Sequence, residues 1–123
     1  MPLFNRNKTR TKTQGAEEYV ATMPAADVVE GKLLTVKVGP KKVLLTRFNG
    51  QVYAIDSLCP HAAADLSAGV LRSWQICCHE HDYCFDIRTG RIVWPEDEVY
   101  RLRRYETKEE DGRIFVRLNP LTQ

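Results

Sequence analysis

Two short clusters carry the chemistry open to this sequence. Cys59-Pro60-His61 and Cys78-His79-Glu80-His81 each offer a thiol and, two or three residues on, an imidazole, with sixteen residues between His61 and Cys78. The pattern C-x-H-x16-C-x2-H puts two sulfur and two nitrogen donors into two loops. Cysteine binds metal as the thiolate and histidine through a neutral ring nitrogen, so the ligands would lose protons as they bound. Two thiolates on one iron and two imidazoles on the other is a donor set for a [2Fe–2S] cluster, with Cys59 and Cys78 on the first iron and His61 and His81 on the second. Each imidazole would keep an outer N–H near solvent, which favours electron exit through His61 or His81.

A structural zinc-binding interaction module could use the same four residues, but zinc sites favour C-x2–4-C and H-x3–5-H spacings, and neither is present. Cys77 with His79 repeats the C-x-H spacing yet leaves Cys78 and His81 idle. Cys77 therefore reads as a strand-end thiol and Cys84 as a small buried hydrophobe. Four cysteines crowded among three histidines favour metal ligation in a reducing compartment over a disulfide framework.

The ligand pattern resembles the Rieske-type ferredoxin family, in its low-potential, oxygenase-ferredoxin-like branch. Asp65-Leu66-Ser67-Ala68-Gly69 is similar to the family's run after its first cluster loop, and Phe85-Asp86-Ile87-Arg88-Thr89-Gly90 to the strand and turn after its second. The resemblance implies one [2Fe–2S] cluster per chain on Cys59, His61, Cys78 and His81. It implies a one-electron carrier between a flavin-containing NAD(P)H reductase and a terminal oxygenase or similar acceptor. The small subunit of a larger redox enzyme, such as an assimilatory nitrite reductase, is the alternative within the family.

Several positions depart from the family. His79 stands where proline commonly follows the second ligand cysteine, and Asp82 where glycine commonly follows the second histidine. If that position needs positive φ, Asp tolerates it better than most residues. High-potential members join the loops by a disulfide, and the matching positions, Ala64 and Glu80, cannot form one. Those members also place serine and tyrosine hydroxyls near the sulfurs where Tyr83 and Phe85 stand here. Pro95 resembles the proline of the third loop, which covers the cluster in the family.

Length and charge narrow the reading further. A chain of 123 residues fits one domain, with no room for the mononuclear iron domain of the family's oxygenase subunits. It shows no Gly-rich dinucleotide fingerprint and no nucleophile paired with a base, so no catalytic residue is expected. No apolar run reaches the length of a membrane span or a signal peptide, and a cytoplasmic protein is expected. The net charge of +2 conceals Arg6, Lys8, Arg10 and Lys12 in an acid-free stretch. Residues 1–16 read as a flexible basic arm before a domain at 17–123; without aromatic partners they argue no nucleic-acid partner.

The elements that must position the ligands are short strands. Tyr19-Val20-Ala21-Thr22, the run 33–38, the run 42–48 and Gln51-Val52-Tyr53-Ala54-Ile55 are β-branched or aromatic between turn residues. Asn49-Gly50 predicts a type I′ hairpin and Asp111-Gly112 another. Trp74-Gln75-Ile76-Cys77 leads into the second ligand loop and Tyr83-Cys84-Phe85-Asp86 leaves it, while residues 101–106 and 113–118 close the chain. Residues 27–31 are the one candidate for a helical turn. The class is all-β, a Rieske-like antiparallel β sandwich or barrel with a two-loop cluster-binding subdomain.

Overall fold

The structure, a computed structural model, describes residues 19–80 and 82–121. The basic arm 1–16 and His81 lie outside the described residues. Among the described residues ten strands follow one another: β1 (Tyr19–Pro24), β2 (Leu33–Val38), β3 (Lys41–Phe48), β4 (Gln51–Asp56), β5 (Val70–Arg72), β6 (Gln75–Cys77), β7 (Cys84–Asp86), β8 (Ile92–Trp94), β9 (Arg104–Glu110) and β10 (Arg113–Pro120). The expected all-β architecture is borne out. Six strands in the order β1-β10-β9-β4-β3-β2 make a curved sheet whose outer strands approach one another as a nearly closed barrel. The remaining four, β5-β6-β7-β8, form the smaller sheet that carries the second ligand loop. The turns form where the sequence places them, Asn49-Gly50 with φ of 56° and 83° and Asp111-Gly112 with 53° and 75°. Both central residues of a type I′ turn need that left-handed backbone.

One alternation divides the core in two. On β3, Val43 and Leu45 face the barrel interior with Val52 and Ala54 of β4, Tyr105, Ile114 and Val116. Leu44 and Ile55 point the other way, into a second core with Leu66, Ile76, Phe85, Ile87 and Leu102. The period-2 pleat thus lets β3 and β4 serve both sheets, which explains the run of four buried residues Val43–Thr46 on β3. Trp74 joins the sheets from the side, with Phe48 edge-on at 4.6 Å, Tyr53 at 6.0 Å and the Arg88 guanidinium 4.4 Å over its ring. Fully burying one side chain such as Phe85 or Leu66 contributes roughly 1.5–3 kcal/mol, so this second core anchors both ligand loops to the barrel.

The expected helical turn near residues 27–31 is instead a 3-10 turn at Ala25–Asp27, and a second follows the first ligand loop at Leu66–Ala68. Strands β5 and β8, of three residues each, were not expected, because runs so short have no alternation to detect. Among the described residues no helix is long and apolar enough to cross a membrane.

Candidate metal centre

The first ligand loop, residues 57–65, leaves the end of β4 and is cinched by its own backbone. Cys59 N–H donates to Ala64 O at 2.8 Å, Ala63 N–H to Cys59 O at 2.7 Å, and Leu66 N–H to Ser57 O at 2.8 Å. Ala63 sits at φ 56°, the left-handed step that folds the chain back. Behind it the Asp65 carboxylate caps the 3-10 turn, accepting from Ser67 N–H at 2.9 Å and Ser67 O–H at 2.8 Å, and these bonds hold its pKa below the ordinary value. The second loop spans the gap between β6 and β7. Cys78 N–H donates to Tyr83 O at 2.7 Å across its neck, and Asp82 has φ 57°, the left-handed backbone that Asp tolerates better than most residues.

Cys59 and Cys78 are the free cysteines of the chain, both buried, at 1% and 0% exposure. Burial, then the neighbouring Cys59 thiol, pushes the Cys78 pKa up against the Glu80 N–H, which donates to its Sγ at 3.4 Å. Two buried thiols disfavour the paired thiolates unless a cation compensates them, which is the chemistry of a metal-thiolate site. His61 is half-buried, with its Nδ1 out of contact with solvent. Among the described residues no three side chains converge as ligands of one ion. A diiron cluster asks for a different arrangement, two thiolates on one iron and imidazoles on the other, and two sulfurs and a buried ring nitrogen are donors of the required kind.

The remaining cysteines correct the sequence reading. Cys77 and Cys84 are not two separate thiols but a disulfide, with Cα atoms 4.0 Å apart. The reason is register: β6 and β7 pair antiparallel with Cys77 opposite Cys84, closing the neck of the second loop one residue outside Cys78 and Tyr83. Cys77 and Cys84 lie equally far from the centre of that loop, so their pairing was readable from the hairpin. With Cys77 in the bridge, Cys78 is the thiol the second loop presents.

Aromatic side chains complete the site, and sequence reasoning did not assign them to it. The Tyr83 ring lies flat on the His61 imidazole, centroids 3.7 Å apart and planes 9° apart, while Tyr100 meets both edge-on at 5.8 and 6.1 Å. Burial, then the Glu98 charge, raises the Tyr83 phenol pKa, so it stays protonated near neutrality. His79 and Glu80 point outward and are exposed. Pro95 follows Trp94 through a cis peptide, with Trp94 54% exposed beside it.

The fold is a nearly closed barrel carrying a small four-stranded sheet, with two loops that each bury one free thiol. The family model described as the Rieske [2Fe-2S] domain matches residues 18–106, and the chain belongs to that family. The ferredoxin component of the naphthalene 1,2-dioxygenase system of Pseudomonas putida is 30% identical over 83% of this chain and 97% of its own length. The ferredoxin of carbazole 1,9a-dioxygenase from Nocardioides aromaticivorans IC177 superposes with a TM-score of 0.72 at 31% identity, covering 80% of this chain and 95% of that one. A ferredoxin chain from a complex of reduced oxygenase and oxidized ferredoxin in carbazole 1,9a-dioxygenase gives 0.78 at 25% identity, covering 87% and 99%. The protein is thus an electron carrier with one [2Fe–2S] cluster per chain, not itself an enzyme.

Proposed function

We propose that this ferredoxin takes electrons from a flavin-containing NAD(P)H reductase and delivers them to a terminal oxygenase, on a cluster held by Cys59 and Cys78 at one iron and His61 and His81 at the other. The observation that carries this reading is the pair of buried free thiols, one in each of two loops, with the His61 ring of the first loop stacked on Tyr83 of the second. The relatives named as ferredoxin components of dioxygenase systems, and the carbazole ferredoxin in complex with its oxygenase, support the choice of acceptor.

When bound, the cluster supplies one reversible electron. The chain does the rest. Burial of Cys59 and Cys78 keeps water from the sulfurs, and the Glu80 N–H donates toward Cys78 Sγ, where it offsets negative charge on the thiolate. Around His61, exposed Ala62 and Ala63, half-exposed Leu58 and half-buried Pro60 form a small apolar rim, with the carboxylates of Asp65, Glu80 and Asp82 exposed nearby. Charge speeds the encounter and a small apolar contact releases quickly, which suits a carrier that must visit two partners in turn.

The test is stopped-flow spectroscopy with purified components of a naphthalene-type dioxygenase system. NADH and the reductase should bleach the visible band of this protein by one electron per chain, and oxidised oxygenase should restore it. Reduction without reoxidation by any oxygenase component, together with co-purification in a fixed ratio with a larger reductase, would replace the shuttle with a subunit role.

A further inference from the structure

We infer that Tyr83, braced by Tyr100, is a positioning residue: it fixes the plane of the His61 imidazole so that the buried ring nitrogen faces the cluster, and so ties the first ligand loop to the second. The inference rests on His61 being a ligand.

Backbone bonds fix the loop at Cys59, Ala63 and Ala64, but they leave the two side-chain torsions of His61 open. The flanking Ala62 and Ala63 are small and exposed and give the ring no wall. That wall comes from the other loop. With Tyr83 parallel to it at 3.7 Å, the imidazole can slide in its plane but cannot turn about χ2 without losing the stack. Tyr83 is itself held in place. Its carbonyl accepts the Cys78 N–H at 2.7 Å, its neighbour Cys84 is bridged to Cys77, and Tyr100 closes on its ring from the segment before β9. The stack therefore refers the orientation of one ligand side chain to the backbone of another ligand residue. Positions 64 and 80, Ala and Glu, cannot bridge the loops covalently, and the Tyr83–His61 stack is a noncovalent link between the same two loops.

The test compares holoprotein carrying Tyr83→Phe, Tyr83→Leu or Tyr100→Leu with the native protein. Pulsed EPR of the reduced state reads the couplings to the histidine nitrogens, and a ferrous chelator reads the rate of iron loss. Tyr83→Phe keeps a ring and should match the native protein in both. Tyr83→Leu should shift or broaden the coupling of one histidine nitrogen and release iron roughly two- to tenfold faster, the range that one aromatic pair allows. Tyr100→Leu removes only the brace and should change both in the same direction by less. A native nitrogen spectrum with native iron loss in Tyr83→Leu overturns the inference; if that variant does not fold, the same result in Tyr100→Leu does so. His61→Ala separates the two levels: if it keeps two irons and both nitrogen couplings, the ligand assignment fails, whatever Tyr83 does.

Discussion

Gly69 shows how closely the second ligand loop is packed, and substituting it tests that packing. The residue ends the 3-10 turn after the first loop and precedes β5, where Val70 pairs with Cys77. A Cβ built on Gly69 would fall nearer than 3.0 Å to the Cys77 carbonyl oxygen and 3.2 Å from that of Leu66, both of them backbone atoms that cannot swing aside. In Gly69→Ala the Cys77 carbonyl must withdraw by about half an ångström or more, an overpacking cost of roughly 1–3 kcal/mol. Reduced freedom of the unfolded chain returns about 0.4–1 kcal/mol, so the net loss should be about 1–2 kcal/mol, small enough to leave the chain folded. Because a peptide plane moves as a unit, the shift reaches the Cys78 nitrogen and loosens its bond to Tyr83 O. Urea unfolding followed by circular dichroism should show a lower midpoint, and the visible cluster band should bleach at lower urea than in the native protein. An alanine variant with a native midpoint and native cluster retention would refute the packing argument.

Three further outcomes follow from the same geometry. Alkylating the denatured apoprotein should block two thiols before reduction and four after; Cys77→Ser with Cys84→Ser should keep two irons per chain while losing about 2–3 kcal/mol in urea unfolding, and four thiols free at the outset would contradict the bridge. Burial alone would raise the Asp86 pKa, but the Arg88 N–H and guanidinium bonds at 2.7, 3.1 and 2.9 Å outweigh it and hold the pKa below its ordinary value of 3.8. That stability is present above the ordinary value and is lost as pH falls through the lowered one, so Asp86→Asn should cost about 1–2 kcal/mol at pH 7 and progressively less as the pH falls below 3.8, measured by urea titration across that range. By protein-film voltammetry the reduction potential should lie near about −150 mV, the low end for such clusters, because Phe85 has no hydroxyl to donate, and a positive value would contradict this.

Local chemistry decided what the sequence could reveal. The ligand spacing and the Asn49-Gly50 and Asp111-Gly112 hairpins were legible, because each is set by residues adjacent in the chain. The partition of Leu44 and Leu45 between two cores was not, since a run buried on both faces loses the alternation that reports direction. The Tyr83–His61 stack brings together residues from different loops, and nothing local to either marks it. Gly69 belongs to the run that resembles the family, but the reason for it, a backbone carbonyl from β6, is a tertiary contact. The Cys77–Cys84 bridge is implicit in the hairpin register of the second loop, but cysteines crowded among histidines have the residue types of metal ligands as well, and type alone does not separate the two.

The central claim is that Cys59, Cys78, His61 and His81 hold one [2Fe–2S] cluster. Pulsed EPR of the dithionite-reduced protein, with iron and sulfide measured on the same sample, tests it most directly. Two irons and two acid-labile sulfides per chain are expected, with couplings to two histidine nitrogens, one of which disappears or is lost with the cluster in His61→Ala. Zinc in place of iron, or a reduced cluster with no nitrogen coupling, would contradict it.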